Sequence, residues 1–536
     1  MPLTTERAWT GAPFRDLTQV EFRRLRQLFL RLGYAEAALS ARYQLESVRE
    51  LLLTDQNEVH KVVLPDDATS MLVKLFLRNE QLAWSVVRGV LGASDIEILT
   101  DSGILHSVHG HPDLCVTTIA ILPVEELFLA ADRLEAFESV TGEAPADLVY
   151  SPITSQTVRF MALMPRDPCE HLLDIGTGSG VLGLYAAAHF ARQVTAVDIA
   201  ERSVRFTRFN AALNDLTNVR VLQGDLYEPV RGEQFDVILA HPPYVPATET
   251  EFVFRDGGED GEHITRGLLT GLSRHLRPDG KFFCKCMLTD RRGAPVQDRL
   301  REMLGDDGDE FDIVIAQEKT LDPLYFFADK TRTGDHSYQN IGQWNETVNR
   351  LEIQEMVLLA MLLERHSADR PAVTTRRVQS PFTTAADMRW ILRWLAKTVT
   401  WDMADWRRLL ASRPRILPRT HLRSRSTLKD GQWSVDECTL VTHAPFAIEA
   451  SCPTWYATLL QFCDGRMTAR EHLQYLRDTH AVPDSASEEA FTMMIRQLVD
   501  AGLVEIEEFR LPDATALREN DARERSTGSR SVERAD

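Results

Sequence analysis

The residues of this chain best equipped for chemistry lie between His171 and Tyr244. Four short apolar runs there are each followed by a polar signature. The first is Leu172-Leu173-Asp174-Ile175, followed by Gly176, Thr177, Gly178 and Gly180. Alternate glycines between a strand and a helix permit positive φ and let a ligand approach the backbone closely. The Ala-rich run Val181–Phe190 reads as that helix, and its first amides offer donors and the positive end of a dipole. The second signature is Asp198, closing Val194–Asp198 just before Ile199. A carboxylate there can accept both hydroxyls of a ribose. The third, Gly224-Asp225-Leu226 after Val219–Leu222, fits a contact at the edge of an adenine or an ordinary turn. The fourth is His241-Pro242-Pro243-Tyr244 after Phe235–Ala240. This order builds a nucleotide-type pocket along one edge of a parallel sheet, with the tetrapeptide facing the reacting atom. A glycine triplet alone is a weak signal; the four together, in order, are a strong one.

The set resembles the class I S-adenosylmethionine-dependent methyltransferases. It is most similar to the branch with Asn/Asp-Pro-Pro-Tyr after the fourth strand, which includes glutamine-N5 methyltransferases of release factors. The resemblance covers residues 150–290 well. It implies S-adenosylmethionine as cofactor. Asp174 and the Gly176–Gly180 loop would border its methionyl part, Asp198 its ribose, and Asp225 with Leu226 its adenine. His241, Pro242 and Tyr244 would hold the methyl acceptor. In the family the first residue of the tetrapeptide accepts a hydrogen bond from the target NH2 and the aromatic ring stacks on the target group. Transfer is then in-line displacement driven by positioning, with the reactive group supplied by the cofactor.

Position 241 departs from the pattern by being His. A neutral imidazole accepts one hydrogen bond and donates another, so it can replace the family's acceptor. It can also act as a general base toward a hydroxyl or amine. A third reading is a site that binds cofactor without turnover. Nearby, Asp256-Gly257-Gly258-Glu259-Asp260-Gly261-Glu262 is similar to a stretch of the release-factor enzymes, read here as a tight turn whose acids favour the next helix N-terminus. Thr154 and Thr157, upstream, are candidates for covering the cofactor or for capping a helix.

These residues need a frame. At 536 residues the chain has room for three or four domains. The expected fold is α/β: a Rossmann-like seven-stranded methyltransferase sheet with helices on both faces, spanning residues 146–380. Strands five, six and seven are expected at Lys281–Met287, Glu310–Ala316 and Ala372–Val378. A helical insertion is expected at about 318–366, with its helical run over Val348–Glu364 and Tyr338, Asn340 and Trp344 as lid or packing residues. Mainly helical, winged-helix-like domains flank the sheet at 16–145 and 385–509. In the first, helices are read at Leu17–Leu32 and Ala68–Leu77 and a capped one from Ser94, followed by strands near His106–Val108 and Cys115–Pro123. In the second, Trp390, Trp394, Trp401 and Trp406 are spaced for a buried face, and three helices follow Trp433–His443. Residues 512–536 read as a disordered tail.

With 79 acidic residues against 60 basic ones, the formal charge is −19. That balance opposes general nucleic-acid affinity, and Arg413, Arg415, Arg419, Arg423 and Arg425 read as solvated loop faces. The seven cysteines lack zinc-ligand spacing and no metal site is expected; Cys284 and Cys286 read as buried thiols. No apolar run reaches about 18 residues, so a soluble, cytoplasmic, reduced protein is expected. The substrate reading is a protein, peptide or peptide-derived small molecule, methylated on nitrogen or oxygen. The alternatives are an RNA or DNA base methyltransferase and a non-catalytic cofactor-sensing regulator.

Overall fold

A computed structural model describes residues 13–51, 62–133, 145–247, 251–332, 341–417, 420–429 and 431–510. Tyr338, Asn340, Arg419 and the 512–536 segment lie outside the described residues. The chain divides into two compact units. The first holds residues 1–308, 320–360 and 364–366; the second holds 309–319, 361–363 and 367–536.

The first unit opens with helix α1 (Gln19–Arg31), capped by Thr18 and Glu21, each bonding the other's backbone N–H. Helix α2 (Ala93–Asp101) follows. Its N-cap is Gly92 with no side-chain bond, so the capping pattern expected at Ser94 is not formed. Strands β1 (Leu105–Val108) and β2 (His111–Thr117) pair antiparallel, as do β3 (Ala120–Val124) and β4 (Leu127–Ala131). The single segment expected over Cys115–Pro123 is therefore two strands in different sheets.

The central sheet of this unit begins after helix α3 (Ser155–Leu163). Its parallel strands are β5 (Cys169–Ile175), β6 (Ala191–Asp198), β7 (Val219–Gln223), β8 (Phe235–Ala240) and β9 (Leu276–Arg291). Their lateral order is β7-β6-β5-β8-β9, in parallel register throughout. Helices α4 (Val181–His189) and α5 (Glu201–Leu213) connect the first three strands, and α6 (His263–His275) leads into β9. Parallel neighbours require such crossovers. The winding reverses between β5 and β8. In open α/β sheets ligands bind in the crevice at the carboxyl ends of the strands flanking that switch point.

Beyond β9 the unit carries α7 (Val296–Leu304) and then a pair of helices, α8 (Pro323–Arg332) and α9 (Ile341–Arg350). The helical run expected over Val348–Glu364 is overturned. The helix ends at Arg350, Glu352 turns the chain at φ 52°, and Ile353–Arg365 is a strand, β10, beside β9. Its segment Met356–Leu363 is buried at every position. A continuous apolar run suits a strand covered on both faces as well as a core helix, and periodicity does not separate the two.

Three side chains of α5 tie the N-terminal strands to the sheet. Asn210 and Asn214 bond the backbone N–H and C=O of Ala130 and Phe128 on β4. Arg202 makes a two-pronged pair with Asp132, both bonds 2.6 Å, with neither side chain more than 2% exposed.

In the second unit, Phe311–Leu321 and Thr374–Val378 form the two strands expected there, in parallel register. An antiparallel sheet (Thr420–Lys429, Gln432–Thr442, Ile448–Cys452) and helices at Tyr456–Gln461, Ala469–Asp478 and Glu488–Asp500 follow. The tryptophans are a core: Trp390, Trp394 and Trp406 are buried, and Trp394, Trp401 and Trp406 contact edge to face at 4.9–6.2 Å. Among the described residues no helix is long and apolar enough to cross a membrane.

Candidate active site

A cleft of about 680 Å³ opens at the switch point, lined by residues from the ends of β5, β6 and β8 and from the start of α3. That volume lies within the range of small-molecule sites, about 300–1,000 Å³. Gly176, Thr177, Gly178, Asp198, Ile199, Asp225, Leu226, His241, Pro242 and Tyr244 all line it. Asp174 and Gly180 do not.

Asp174 lies beneath the glycine loop. Its Oδ2 accepts from Thr177 Oγ1 at 2.6 Å and Gly183 N at 3.0 Å, and the residue is 1% exposed. Burial pushes its pKa up to about 6 against those two bonds. Gly183 is required here, because a Cβ at that position would stand 2.9 Å from Asp174 Oδ2. The carboxylate thus braces the loop from below instead of walling the cleft. Gly180 is the N-cap of α4 in the left-handed region, φ 85°.

Gly176 and Gly178 also have positive φ, 69° and 57°. A Cβ on either would meet no protein atom within 4 Å, since both open onto the cleft. Asp198 closes the far side. Its Oδ2 accepts from Gly178 N and its Oδ1 from Ala200 N, both at 2.9 Å, and burial raises its pKa against these bonds. Thr154 caps α3, accepting from Thr157 N at 3.1 Å, so its capping role is realised while both threonines face the cleft. Tyr150 stacks on Phe254 at the rim, 5.0 Å and 11° apart; neither the motif nor its spacing pointed to this pair.

His241 follows the last paired residue of β8. Its ring lies nearly parallel to Phe160 of α3 (5.7 Å, 13°) and to Tyr244 (6.0 Å, 29°). The residue is half-buried and lines the cleft. Burial, and then the Lys285 ammonium, push its pKa down to about 4. The imidazole is therefore uncharged near neutral pH, a hydrogen-bonding group and a weak base.

The Asp256–Glu262 stretch wraps the tetrapeptide. Val245 N donates to Arg255 O and Gly257 N to Val245 O, at 2.9 and 2.8 Å. A Cβ on Gly261 would sit 2.3 Å from Tyr244 O, and one on Gly257 would sit 2.8 Å from Pro243 O. Asp260 serves the helix start as expected, accepting from the N–H of Glu262, the N-cap residue of α6, at 3.0 Å, but the Glu262 side chain makes no cap bond. Glu262 is fully buried, accepting from Thr289 N, Thr289 Oγ1 and Arg299 Nη1 at 2.7–2.8 Å. Glu259 holds Thr347 and Arg350 of α9. Behind Tyr244, the pair α8–α9 packs through Phe326, Phe327 and Trp344, so Trp344 is a packing residue.

Residues 154–306 match the family described as the methyltransferase small domain. A release factor glutamine methyltransferase of Koribacter versatilis is 30% identical over 227 residues, covering 40% of this chain and 74% of that relative. The chain belongs to the class I S-adenosylmethionine-dependent methyltransferases, in their small-domain branch. A ribosomal protein uL3 glutamine methyltransferase of Bradyrhizobium diazoefficiens is 36% identical over 129 residues, but this methyltransferase spans only 40% of that relative's length. Among solved structures, a Methanocaldococcus jannaschii protein titled TYW2 in complex with AdoMet overlays with a TM-score of 0.30 at 15% identity, covering 46% of this chain and 87% of that one.

The cofactor of this methyltransferase is S-adenosylmethionine, and the cleft fits it. The two glycines bare their backbone to the cavity, Asp198 supplies a carboxylate suited to a diol, and Gln156 Oε1 is shielded with no partner among the described residues. Cys284 and Cys286, on β9, are buried thiols as expected.

Proposed function

We propose that this methyltransferase modifies a nitrogen of a planar, uncharged side-chain group on a protein or peptide. His241 acts as the hydrogen-bond acceptor of the slot and not as its base. The observation that carries this reading is the placement of the His241 ring at the cleft wall, near-parallel to Phe160 and Tyr244 and half-buried, and burial lowers its pKa. A base matched to neutral pH would have a pKa near 7. An uncharged imidazole edge offers the lone pair that Asn or Asp offers elsewhere in the branch. The relatives' names, glutamine methyltransferases of a release factor and of a ribosomal protein, support a protein acceptor.

The cofactor supplies an electrophilic methyl group on a sulfonium. The glycine loop and Asp198 would hold it at the β5–β6 side, and Asp225 with Leu226 would border its adenine. His241 receives an acceptor N–H, the Pro242 carbonyl receives a second, and Tyr244 covers the planar face. The target nitrogen is thereby aimed across the cleft. The flanking modules, winged-helix-like in pattern, present the acceptor, and the chain's −19 charge argues against nucleic acid in that role.

The test is transfer of labelled methyl from S-adenosylmethionine into cell extract fractionated into protein, nucleic acid and small molecules. Label in the protein fraction is expected. Label confined to RNA or DNA would overturn the acceptor class, and none in any fraction would favour a regulator without turnover.

A further inference from the structure

Cys438 lies on the middle strand of the second unit's antiparallel sheet, Gln432–Thr442, and Cys452 ends the neighbouring strand, Ile448–Cys452. The register sets the two directly opposite each other. Opposed residues of an antiparallel pair point to the same face, so both thiols stand on the face that carries Leu440 and Ala450. Their Cα atoms are about 4.5 or 5.5 Å apart, whichever kind of pair they form, inside the roughly 4.4–6.8 Å that a disulfide spans. Their Cβ atoms, about 4.5–5.5 Å apart, must close to about 3.8 Å. Cys452 can make that move, because it is the last paired residue of its strand and Pro453 follows. Both cysteines are free; Cys438 is 2% exposed and Cys452 is half-buried. One thiol is thus within reach of a small molecule, and the other lies beside it, shielded. Cys284 and Cys286 differ: they sit on one strand, two positions apart, and both are fully buried.

We propose that Cys438 and Cys452 are a thiol–disulfide exchange site, which takes a low-molecular-weight disulfide of the glutathione type and closes reversibly into a cross-strand disulfide. The deprotonated Sγ of Cys452 attacks one sulfur of the small disulfide; that S–S bond breaks, and one small thiol leaves, taking a proton from water. Cys438 Sγ gives its proton to water, attacks Cys452 Sγ, forms the protein S–S bond and expels the second small thiol. Two protein thiols are oxidised, and one small disulfide is reduced to two thiols. Excess thiol reverses both steps, because a partly exposed disulfide is the labile kind. The bond staples the 5-residue third strand to the middle one at the end where their ladder stops.

Full-length protein is equilibrated in glutathione buffers from fully reduced to fully oxidised, quenched in acid, alkylated, and cleaved after Lys, Arg and Glu. Cleavage at Glu437 and Glu449 separates Cys438 from Cys452. Mass spectrometry is expected to find the two peptides joined in the oxidised buffer and both cysteines alkylated in the reduced one. Cys463 shares a peptide with Cys452, and Cys463→Ser is expected to leave the link in place. Cys438→Ser is expected to keep glutathione on Cys452 as a mixed disulfide, since the second thiol is gone. Amide exchange over Ile448–Cys452 is expected to slow about tenfold on oxidation. Both thiols still alkylated in the oxidised buffer, a link that runs to Cys463, or a link that forms only in denaturant would each overturn the proposal. A link that leaves exchange unchanged would overturn the staple. The wild-type peptides decide the matter even if Cys438→Ser fails to fold.

Discussion

Replacing Asp174 by Asn separates a brace from a ligand. If the carboxylate held the cofactor by charge, Asn would cost affinity. In the structure one oxygen takes both bonds, from Thr177 and Gly183, and an amide oxygen can do the same. Cofactor affinity is therefore expected to fall less than threefold in Asp174→Asn. Stability carries the second half of the prediction. Burial lifts the Asp174 pKa from 3.8 to about 6, a shift of about two units or about 3 kcal/mol. The folded state then binds more protons than the unfolded state between about pH 4 and 6, so this group's contribution falls as pH rises through that window and is flat above it. Asn does not titrate. Its new buried NH2 adds a cost of about 1–3 kcal/mol, the same at every pH. The stability of Asp174→Asn relative to the wild type should therefore improve by about 2 kcal/mol between pH 4.5 and 7, whatever its sign at either end. Urea denaturation at the two pH values reads this difference, with calorimetric titration of S-adenosylmethionine alongside. Parallel behaviour across pH, or a tenfold loss of affinity, would refute the brace. Asp174→Ala, which strands Thr177 Oγ1 and Gly183 N, should cost about 1–3 kcal/mol for each group and weaken binding.

Other perturbations discriminate the parts of the cleft. Gly261→Ala, with a Cβ 2.3 Å from Tyr244 O at φ 77°, should displace the acceptor slot by enough to lower methyl transfer about 100-fold while cofactor affinity measured by calorimetry holds. His241→Asn should keep transfer within about tenfold and His241→Ala should lose about 100-fold; equal losses in a labelled-methyl assay would contradict an acceptor role. Because the folded pKa of His241 lies near 4, below its unfolded value, its contribution to stability is full above about pH 6.5 and is lost as pH falls toward 4, a trend that His241→Asn should remove from the pH dependence of denaturation. Trp344→Ala removes a buried ring that stacks on Phe327 and donates to Pro323 O at 2.9 Å. About 3–5 kcal/mol is expected, read as faster amide exchange in α8 and α9 with the β5–β8 strands unchanged.

That the glycine and acid positions after the apolar strands would line one cleft was legible in the sequence because each part is a local device: an apolar strand, then a glycine or an acid at its end. The same holds for the second unit's helices, where caps and turns mark the boundaries. What was not legible depends on neighbours far along the chain. Asp174 sits at a strand end like Asp198, and only the packing of Gly183 against it shows that it faces inward. Ile353–Arg365 reads as a helix until strands on either side are known. Glu262 looks like a helix-start acid, and its buried partner Arg299 is 37 residues away. Cys438 and Cys452 are scattered thiols in the sequence, and only the strand register sets them opposite each other.

Asn210 has a further consequence. Its amide nitrogen reaches Ala130 O in the N-terminal strands and Ser179 O in the glycine loop, at 3.0 and 2.8 Å. One side chain therefore belongs to the N-terminal strands and to the wall of the cleft at once. Cutting away the residues before 134 would not release a lighter catalytic core. It would take from Asn210 and Asn214 their partners on β4 and from Arg202 its Asp132, all on the helix that braces the glycine loop. The first quarter of the chain is, in this sense, part of the cleft's foundations and no detachable accessory.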